Sequence, residues 1–402
     1  MKLCLTALFF AATTVVNALV RDVPGLNGAI PPTNLANVKF HKRRPADFQH
    51  PGLWHTHEDL ERMRIGVANQ LEPWYSAFAN FSADVYSSSS YKMKGPFPVI
   101  SRGSVSNYTS FTSDARAAWQ NALMWYITGD DAHRNVSTSI LDGWGSNLTD
   151  IIGTDRSLLL GTEGLLFVNA AEIMRWEANW TEQGATYKGG TGFSVQLYWL
   201  FARQSVIVGQ ANYGMASIHA LLNYAIYLED VSMYNYALDM LQNDPCAGLE
   251  ANFDVKTGQG SESGRDQGHA QISIGWTALA AKTILSQGGD MFKEHNNLIL
   301  RGAEYAGQYN SNKTVPFDPS FYRCEAVLVD GPWGTVANVS RGLKYPVYDL
   351  VYYEYIQRLR VDSEAIKEVK RLSPSESNVT SADLPSWGDL LWAYNSTSSS
   401  QA

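Results

Sequence analysis

Along most of this chain apolar residues return every three or four positions, and one-by-one alternation is rare. That spacing predicts helices. Thr56 and Asp59 have the pattern of a capping box ahead of Leu60-Glu61-Arg62-Met63-Arg64. Ser113-Asp114 reads as the start of a helix over 115–128, with Ala118, Ala122, Trp125 and Tyr126 at helical spacing. Gly129-Asp130-Asp131 ends it, and 132–144 reads as the returning helix. The pattern continues over 158–176, 193–208, 213–228, 233–241, 267–285, 292–309 and 346–359. Long apolar helices alternate with shorter, more polar ones, and the turns between them are rich in Gly, Asp and Asn. No run of alternating strands with hairpin turns interrupts them. The expected fold class is all-α, an α/α toroid (an incomplete α/α barrel) of stacked helical hairpins with apolar inner helices. Residues 49–372 read as one toroid domain, because no linker divides them. Before it, 19–48 is a Pro/Asn-rich extended arm; after it, 373–402 is a Ser/Asn-rich tail whose docking segment is 384–392.

Composition narrows the class without naming it. The 402 residues are 45% hydrophobic and 17% charged, enough for a large core. A formal charge of −8 argues against a general nucleic-acid or membrane-surface binder, yet leaves room for a local Arg/His pocket that takes an acidic substrate. The 12 Trp and 21 Tyr suit a sugar-binding cleft, although most such residues serve as core.

At the N-terminus, Lys2, the apolar run 3–16 and Val16-Asn17-Ala18 read as a signal peptide over 1–18, so the protein is expected to be secreted and extracellular. Sequons at Asn80, Asn107, Asn135, Asn147, Asn179, Asn312, Asn338, Asn378 and Asn395 agree with a glycoprotein. Cys4 leaves with the signal. Cys246 and Cys324 remain, and an oxidising compartment would join them as a disulfide. The run His41-Lys42-Arg43-Arg44 reads as a solvated patch or a processing site.

The densest chemistry lies where loop becomes helix, in Ser261-Glu262-Ser263-Gly264-Arg265-Asp266-Gln267-Gly268-His269. A helix N-terminus presents outward N–H groups, and an Arg and a His beside it make a receptor for a carboxylate. The plainer alternative is a capped helix start with Arg265 and Asp266 in water. In a toroid the inner helices run parallel, so their N-termini gather at one rim. Asn212-Tyr213-Gly214 opens one, and the Arg265–His269 block opens the next. Arg341 through Tyr345-Pro346 to Tyr348 opens a third, with Pro346 where a first-turn proline is tolerated.

This set fits β-elimination on a uronic-acid polymer. The substrate carboxylate must be neutralised while a base takes the C5 proton and an acid protonates the departing O4. Asn212 and Arg265 are the expected carboxylate binders and His269 the base. Tyr348 is the first choice of acid, with Tyr309 and Tyr345 behind it. Glu262, Tyr213, Tyr309, Arg341 and Tyr345 are expected to line the substrate. Each has a plainer alternative. Asn212 could be an N-cap; Tyr348 shares its helix with Tyr352, Tyr353 and Tyr355 and could be packing; Arg341 neighbours the Asn338 sequon and could be surface; Glu262 could face water. His219, on an apolar helix, reads as a core histidine. A glycoside hydrolase would need two flanking carboxylates, for which Glu262, Asp266 and Asp114 are the candidates. A non-catalytic glycan-binding protein is the other rival. No ligand cluster argues for a metal. The expected partner is an acidic polysaccharide, and the expected state is a monomer.

Several segments, in order, resemble secreted alginate-lyase-domain proteins of the chondroitin AC/alginate lyase superfamily. They include His50-Pro51-Gly52-Leu53-Trp54-His55-Thr56, the stretch Ala122-Leu123-Met124-Trp125-Tyr126, Ala170-Ala171-Glu172-Ile173 and Asn212-Tyr213-Gly214. The block Glu262–His269, Glu304-Tyr305 through Val315-Pro316-Phe317, and Trp387-Gly388-Asp389-Leu390-Leu391 complete the match. The nearest group is polysaccharide lyase family 38. The resemblance implies an α/α toroid, β-elimination on a uronic-acid polysaccharide and no obligatory organic cofactor. It carries the His base onto His269 and the neutralising Asn onto Asn212, with Glu262 and Arg265 as site-lining residues. Two places depart from the pattern: related lyases often read Asn-Asn-His-Gly where Ala211-Asn212-Tyr213-Gly214 stands, and Arg-Pro where Tyr345-Pro346 stands.

Overall fold

The computed structural model describes residues 48–103, 107–182, 192–206, 209–321, 331–373 and 383–394. The expected signal peptide 1–18, Cys4, the run His41–Arg44, Cys324, Asn378 and Asn395 lie outside them.

The helices follow the periodicity, and polar caps set their ends. α1 (His57–Ala68) opens on a reciprocal Thr56/Asp59 capping box, and α2 (Trp74–Ala83) follows. A short strand β1 (Val99–Ser101) precedes α3 (Tyr108–Thr128). Asp130 caps α4 (Asp131–Asn147), which is followed by β2 (Asp150–Ile152), α5 (Arg156–Gly161) and α6 (Glu163–Trp176). Next come α7 (Phe193–Gln196), α8 (Ala211–Tyr227) and α9 (Val231–Asn243), the last capped by Asp230. α10 (Gln267–Ser286) is capped by Asp266 and leads to α11 (Glu294–Asn310). α12 (Tyr348–Tyr352) runs on into π-helical turns, and Ser363 caps α13 (Glu364–Leu372).

The molecule is an all-α toroid. α3, α6, α8 and α10 are apolar on almost every side and form the buried inner ring, with α4, α9 and α11 packed outside them. Side-chain rungs fix the inner helices as parallel. Thr112 of α3 donates to Glu163 at the start of α6 (2.9 Å). Further along, Asn169 of α6 donates to Asn223 of α8 (3.2 Å), which donates to Thr283 of α10 (3.3 Å). Their N-termini therefore share one rim.

The segment before α1 and the segment after α13 close the ring. The Trp54 indole donates to His219 Nε2 (3.0 Å) and the Trp54 amide to Asn169 (3.1 Å), while the Gly52 amide reaches Glu172 (3.1 Å). Asp59 of α1 bonds both Lys282 of α10 (3.0 Å) and Arg62 (2.6 Å) in the interior. Trp387 packs edge-on against Phe81 and Trp392 stacks on His55, so the C-terminal segment bridges α2 and the segment before α1. His219 is a core histidine, as its apolar helix suggests.

Two expectations change. α3 begins at Tyr108, and Asp114 lies inside it, fully buried. Its carboxylate accepts from the amides of Lys94 and Gly95, the Tyr91 hydroxyl and the Trp144 indole. A side chain that ties down four groups from elsewhere looks, in sequence, like a helix cap. The second change is the strand pair: β1 and β2 run parallel, with Val99 opposite Asp150. A Cβ on Gly153 (φ +105°) would meet Arg102 O at 2.0 Å, and one on Gly103 (φ +123°) would meet Thr154 Oγ1 at 2.3 Å. Glycine at both positions lets the two loops touch.

Cys246 is disulfide-bonded. Of the sequon asparagines, Asn80, Asn107, Asn135, Asn147, Asn179, Asn312 and Asn338 are exposed.

Candidate active site

The shared rim gathers the start of α8, the start of α10 and the loop ahead of α12. Glu262, almost fully buried, is the hub. Its Oε2 accepts from Asn212 Nδ2 (2.6 Å) and the Asn212 amide (3.2 Å), and its Oε1 accepts from Arg265 Nη1 (2.9 Å). A buried carboxylate is tolerable only when so bonded. Asn212 is not a cap: it is the second residue of α8, behind Gln210 and Ala211, and its amide side chain turns to Glu262. Ala211 carries a φ of +48°, a left-handed conformation unusual for alanine and one that clusters at functional sites.

Asp266 performs two tasks. Oδ1 caps α10 through the His269 amide (2.8 Å), and Oδ2 accepts from His269 Nδ1 (2.6 Å). Burial opposes ionisation of Asp266, but the bonds from His269 and the nearby Arg265 outweigh it and hold its pKa below the usual carboxylate value. An Nδ1 that donates to a carboxylate leaves the lone pair of a neutral imidazole on Nε2. The His269 side chain is 36% exposed, and Nε2 has no partner among the described residues. A free Nε2 on an oriented ring is the form a general base needs.

Tyr345 stands over this helix start. Its hydroxyl is 3.0 Å from where a Cβ on Gly268 would lie, beside Asp266 Oδ1 at 3.1 Å from the same point. Burial and then the carboxylates of Asp266 and Asp383 raise its pKa, so the phenol stays protonated and able to donate. The loop that carries it is bonded down onto α10: Gln271 donates to Leu343 O (2.9 Å) and accepts from the Tyr345 amide (3.2 Å), while the Gln267 amide donates to Val339 O (2.9 Å). Tyr213, half-buried, donates its hydroxyl to Asp155 (3.2 Å); burial raises its pKa, Asp155 adds to that, and Arg102 and Arg265 pull the other way.

The fold is shared with known enzymes. Alginate lyase A1-III from Sphingomonas species A1 superposes with a TM-score of 0.55 at 13% identity, covering 91% of this chain and 100% of that one. A tyrosine-to-phenylalanine variant of alginate lyase A1-III, complexed with a tetrasaccharide, gives 0.58 at 12% identity over 91% and 99%. An alginate lyase from Bacteroides ovatus gives 0.51 at 10% identity over 86% and 100%. The chain has the alginate-lyase fold. No family model matches the sequence, and no curated protein matches it.

Within that alginate-lyase fold, the remaining expected residues divide. Tyr348 is corrected: its side chain is wholly buried in the core, its hydroxyl has no partner among the described residues, and burial pushes its pKa far up. It lies three residues past Tyr345, on the inward side of the turn, and cannot meet a substrate. Tyr309 and Arg341 are tied to each other and to the neighbouring loop. The Tyr309 hydroxyl donates to Asn338 (2.7 Å), and Arg341 stacks on the Tyr309 ring (3.9 Å) while donating to the carbonyls of Tyr309 and Lys313. This clamp holds the 337–342 loop in place. Sequence reasoning missed Arg102 and Asp155, which the Gly103/Gly153 contact brings to the rim from distant loops. It also passed over the pairing of Asp266 with His269, which an Asp three residues ahead of a His at a helix start does signal. Among the described residues no group of His, Cys, Asp or Glu has the arrangement of a metal site.

Proposed function

We propose that this protein is a secreted polysaccharide lyase that cleaves a 1,4-linked uronic-acid polymer by β-elimination, of the kind grouped in polysaccharide lyase family 38. The observation that carries the reading is the Asp266–His269 pair, which leaves Nε2 free at a rim that also holds Arg265, a protonated Tyr345 and, almost fully buried, Asn212. The alginate-lyase fold and the alginate lyase complexes with tetrasaccharide support it.

In this reading the substrate carboxylate meets the donors of Arg265 and Asn212 that Glu262 does not use. Glu262 orients both groups. Neutralising the carboxylate stabilises the enolate that forms when His269 Nε2 takes the C5 proton. The electron pair left at C5 forms the C4–C5 double bond as the C4–O4 bond breaks. Tyr345 gives its phenolic proton to O4. The products are an unsaturated uronate and a chain with a new end, and proton exchange with water resets imidazolium and phenolate.

Hydrolysis fits the site less well. Glu262 and Asp266 are both committed to Arg, Asn and His partners, and Asp114 is a buried anchor. Mass spectrometry of products from mannuronate, guluronate and glucuronate polymers distinguishes the two chemistries. Elimination yields fragments lighter by one water than the hydrolytic ones; fragments that take up labelled oxygen from water would show the proposal to be wrong.

A further inference from the structure

Next to Tyr213 the rim opens into a cavity of about 580 Å³, a size that holds small ligands. Its walls come from the β2–α5 loop (Gly153, Thr154), from the first turn of α5 (Arg156, Ser157), from Gln204 and from Gly209 and Tyr213 ahead of and in α8. None of the proposed reaction's proton-transfer groups lies in it. Arg156 is exposed, and among the described residues its guanidinium has no ion pair and no hydrogen bond. Most arginines near the rim differ from it: Arg102 is paired with Glu163, and Arg265 with Glu262. Gln204 spends its amide on Leu200 O (2.9 Å), which leaves its carbonyl as an acceptor. The cavity therefore offers an unneutralised cation, hydroxyls from Thr154 and Ser157, an amide acceptor and a tyrosine side chain. This is the equipment for a hydroxyl-rich ring that carries a carboxylate.

We infer that this cavity is a second uronate subsite, in which Arg156 binds the carboxylate of a sugar other than the one that is cleaved. The inference rests on the proposed lyase reading and adds to it. The protein then grips a polymer at two carboxylates, one held by Arg265 and Asn212 and the other by Arg156. Tyr213 is the wall between the two positions, anchored by Asp155. A substrate too short to reach the cavity keeps its chemistry and loses affinity.

The test is affinity electrophoresis of wild type, Arg156→Gln and Arg156→Lys through gels containing polymannuronate, polyguluronate or glucuronan, alongside rates of unsaturated-product formation. Loss of one charge-assisted contact should weaken binding by about tenfold in Arg156→Gln. The lysine variant should recover part of this, with kcat unchanged in both. Thermal melting of the variants checks that they fold. Equal retardation of wild type and Arg156→Gln in every gel overturns the subsite, as does a wild type that no polymer retards. Retardation that depends on Arg156, in a protein that forms no unsaturated product, keeps the subsite and rejects the reaction.

Discussion

Two tyrosines three positions apart carry opposite assignments, and burial is what separates them. Tyr345 lies half-exposed over the first turn of α10, whereas Tyr348 is sealed in the core with an unpartnered hydroxyl. Tyr345→Phe should lower the elimination rate by about 10²–10⁴-fold, the usual weight of one general acid or base. Tyr348→Phe should leave the rate unchanged. It should also leave stability unchanged or raise it by about 1 kcal/mol, because a buried hydroxyl without a partner costs free energy in the native state. Rates and melting temperatures of the two variants check both statements. The sequence held both residues as candidates, since Tyr-Pro at a helix start and a Tyr one turn on look equally suitable. Only the packing of Val347 and Tyr348 into the core shows which ring faces out.

α10 is the element on which the site depends, because its cap and its catalytic orientation come from one side chain. Asp266→Asn separates the two tasks. Asparagine caps helices about as well as aspartate, so stability should change by less than about 0.5 kcal/mol from the cap itself. The amide no longer fixes Nδ1–H on His269, and misplacing that proton should reduce kcat by at least about 10²-fold, with KM little affected. A variant that melts early yet keeps full kcat would reverse this assignment. Periodicity, the capping Asp residues and the Gly/Asp turns made the helices readable, and the block 262–269 announced itself by density of charge. The helix-start position of Asn212 was visible too, but its partner was not: Glu262 is fifty residues away, and Ala211 reaches it through a left-handed turn that no local rule favours for alanine. Arg102 and Asp155 were invisible for a similar reason, since a parallel strand pair of three residues each leaves almost no pattern.

The whole ring is closed by buried polar groups, and these set its response to acid. His55 and His219 are held neutral by burial, which pushes both pKa values from 6.5 down to about 3, with Asp59, Lys282 and Arg62 acting further on His55. In the unfolded chain the same imidazoles take up protons near 6.5, so below that pH the unfolded state binds more protons than the folded one. Stability should fall as pH drops from about 6.5 to 3, by roughly 1.4 kcal/mol per pH unit for each histidine. Asp59 adds to the loss. Burial opposes its ionisation, yet Lys282 and Arg62 hold its pKa well below the carboxylate range, so its contribution is present above the unfolded value near ~4 and lost beneath it. Urea denaturation at pH 7, 5.5 and 4 should show this decline, and His219→Gln should flatten part of it; a flat profile in wild type would contradict the account. The toroid itself was readable from the alternation of apolar and polar helices. Its closure was not, because Trp54, Asp59 and Trp392 meet partners from the far end of the chain.

The central claim is that His269 Nε2, steered by Asp266, removes a proton from a uronate. It is tested most directly by following the ultraviolet absorbance of the conjugated unsaturated product, with wild type and His269→Ala on the same polyuronate. The account requires a steady rise with wild type and a rate lower by about 10²–10⁴-fold in the variant at an unchanged melting temperature. A rise of equal rate in both proteins would keep the lyase and remove His269 from its chemistry; no rise with wild type on any polyuronate would contradict the account.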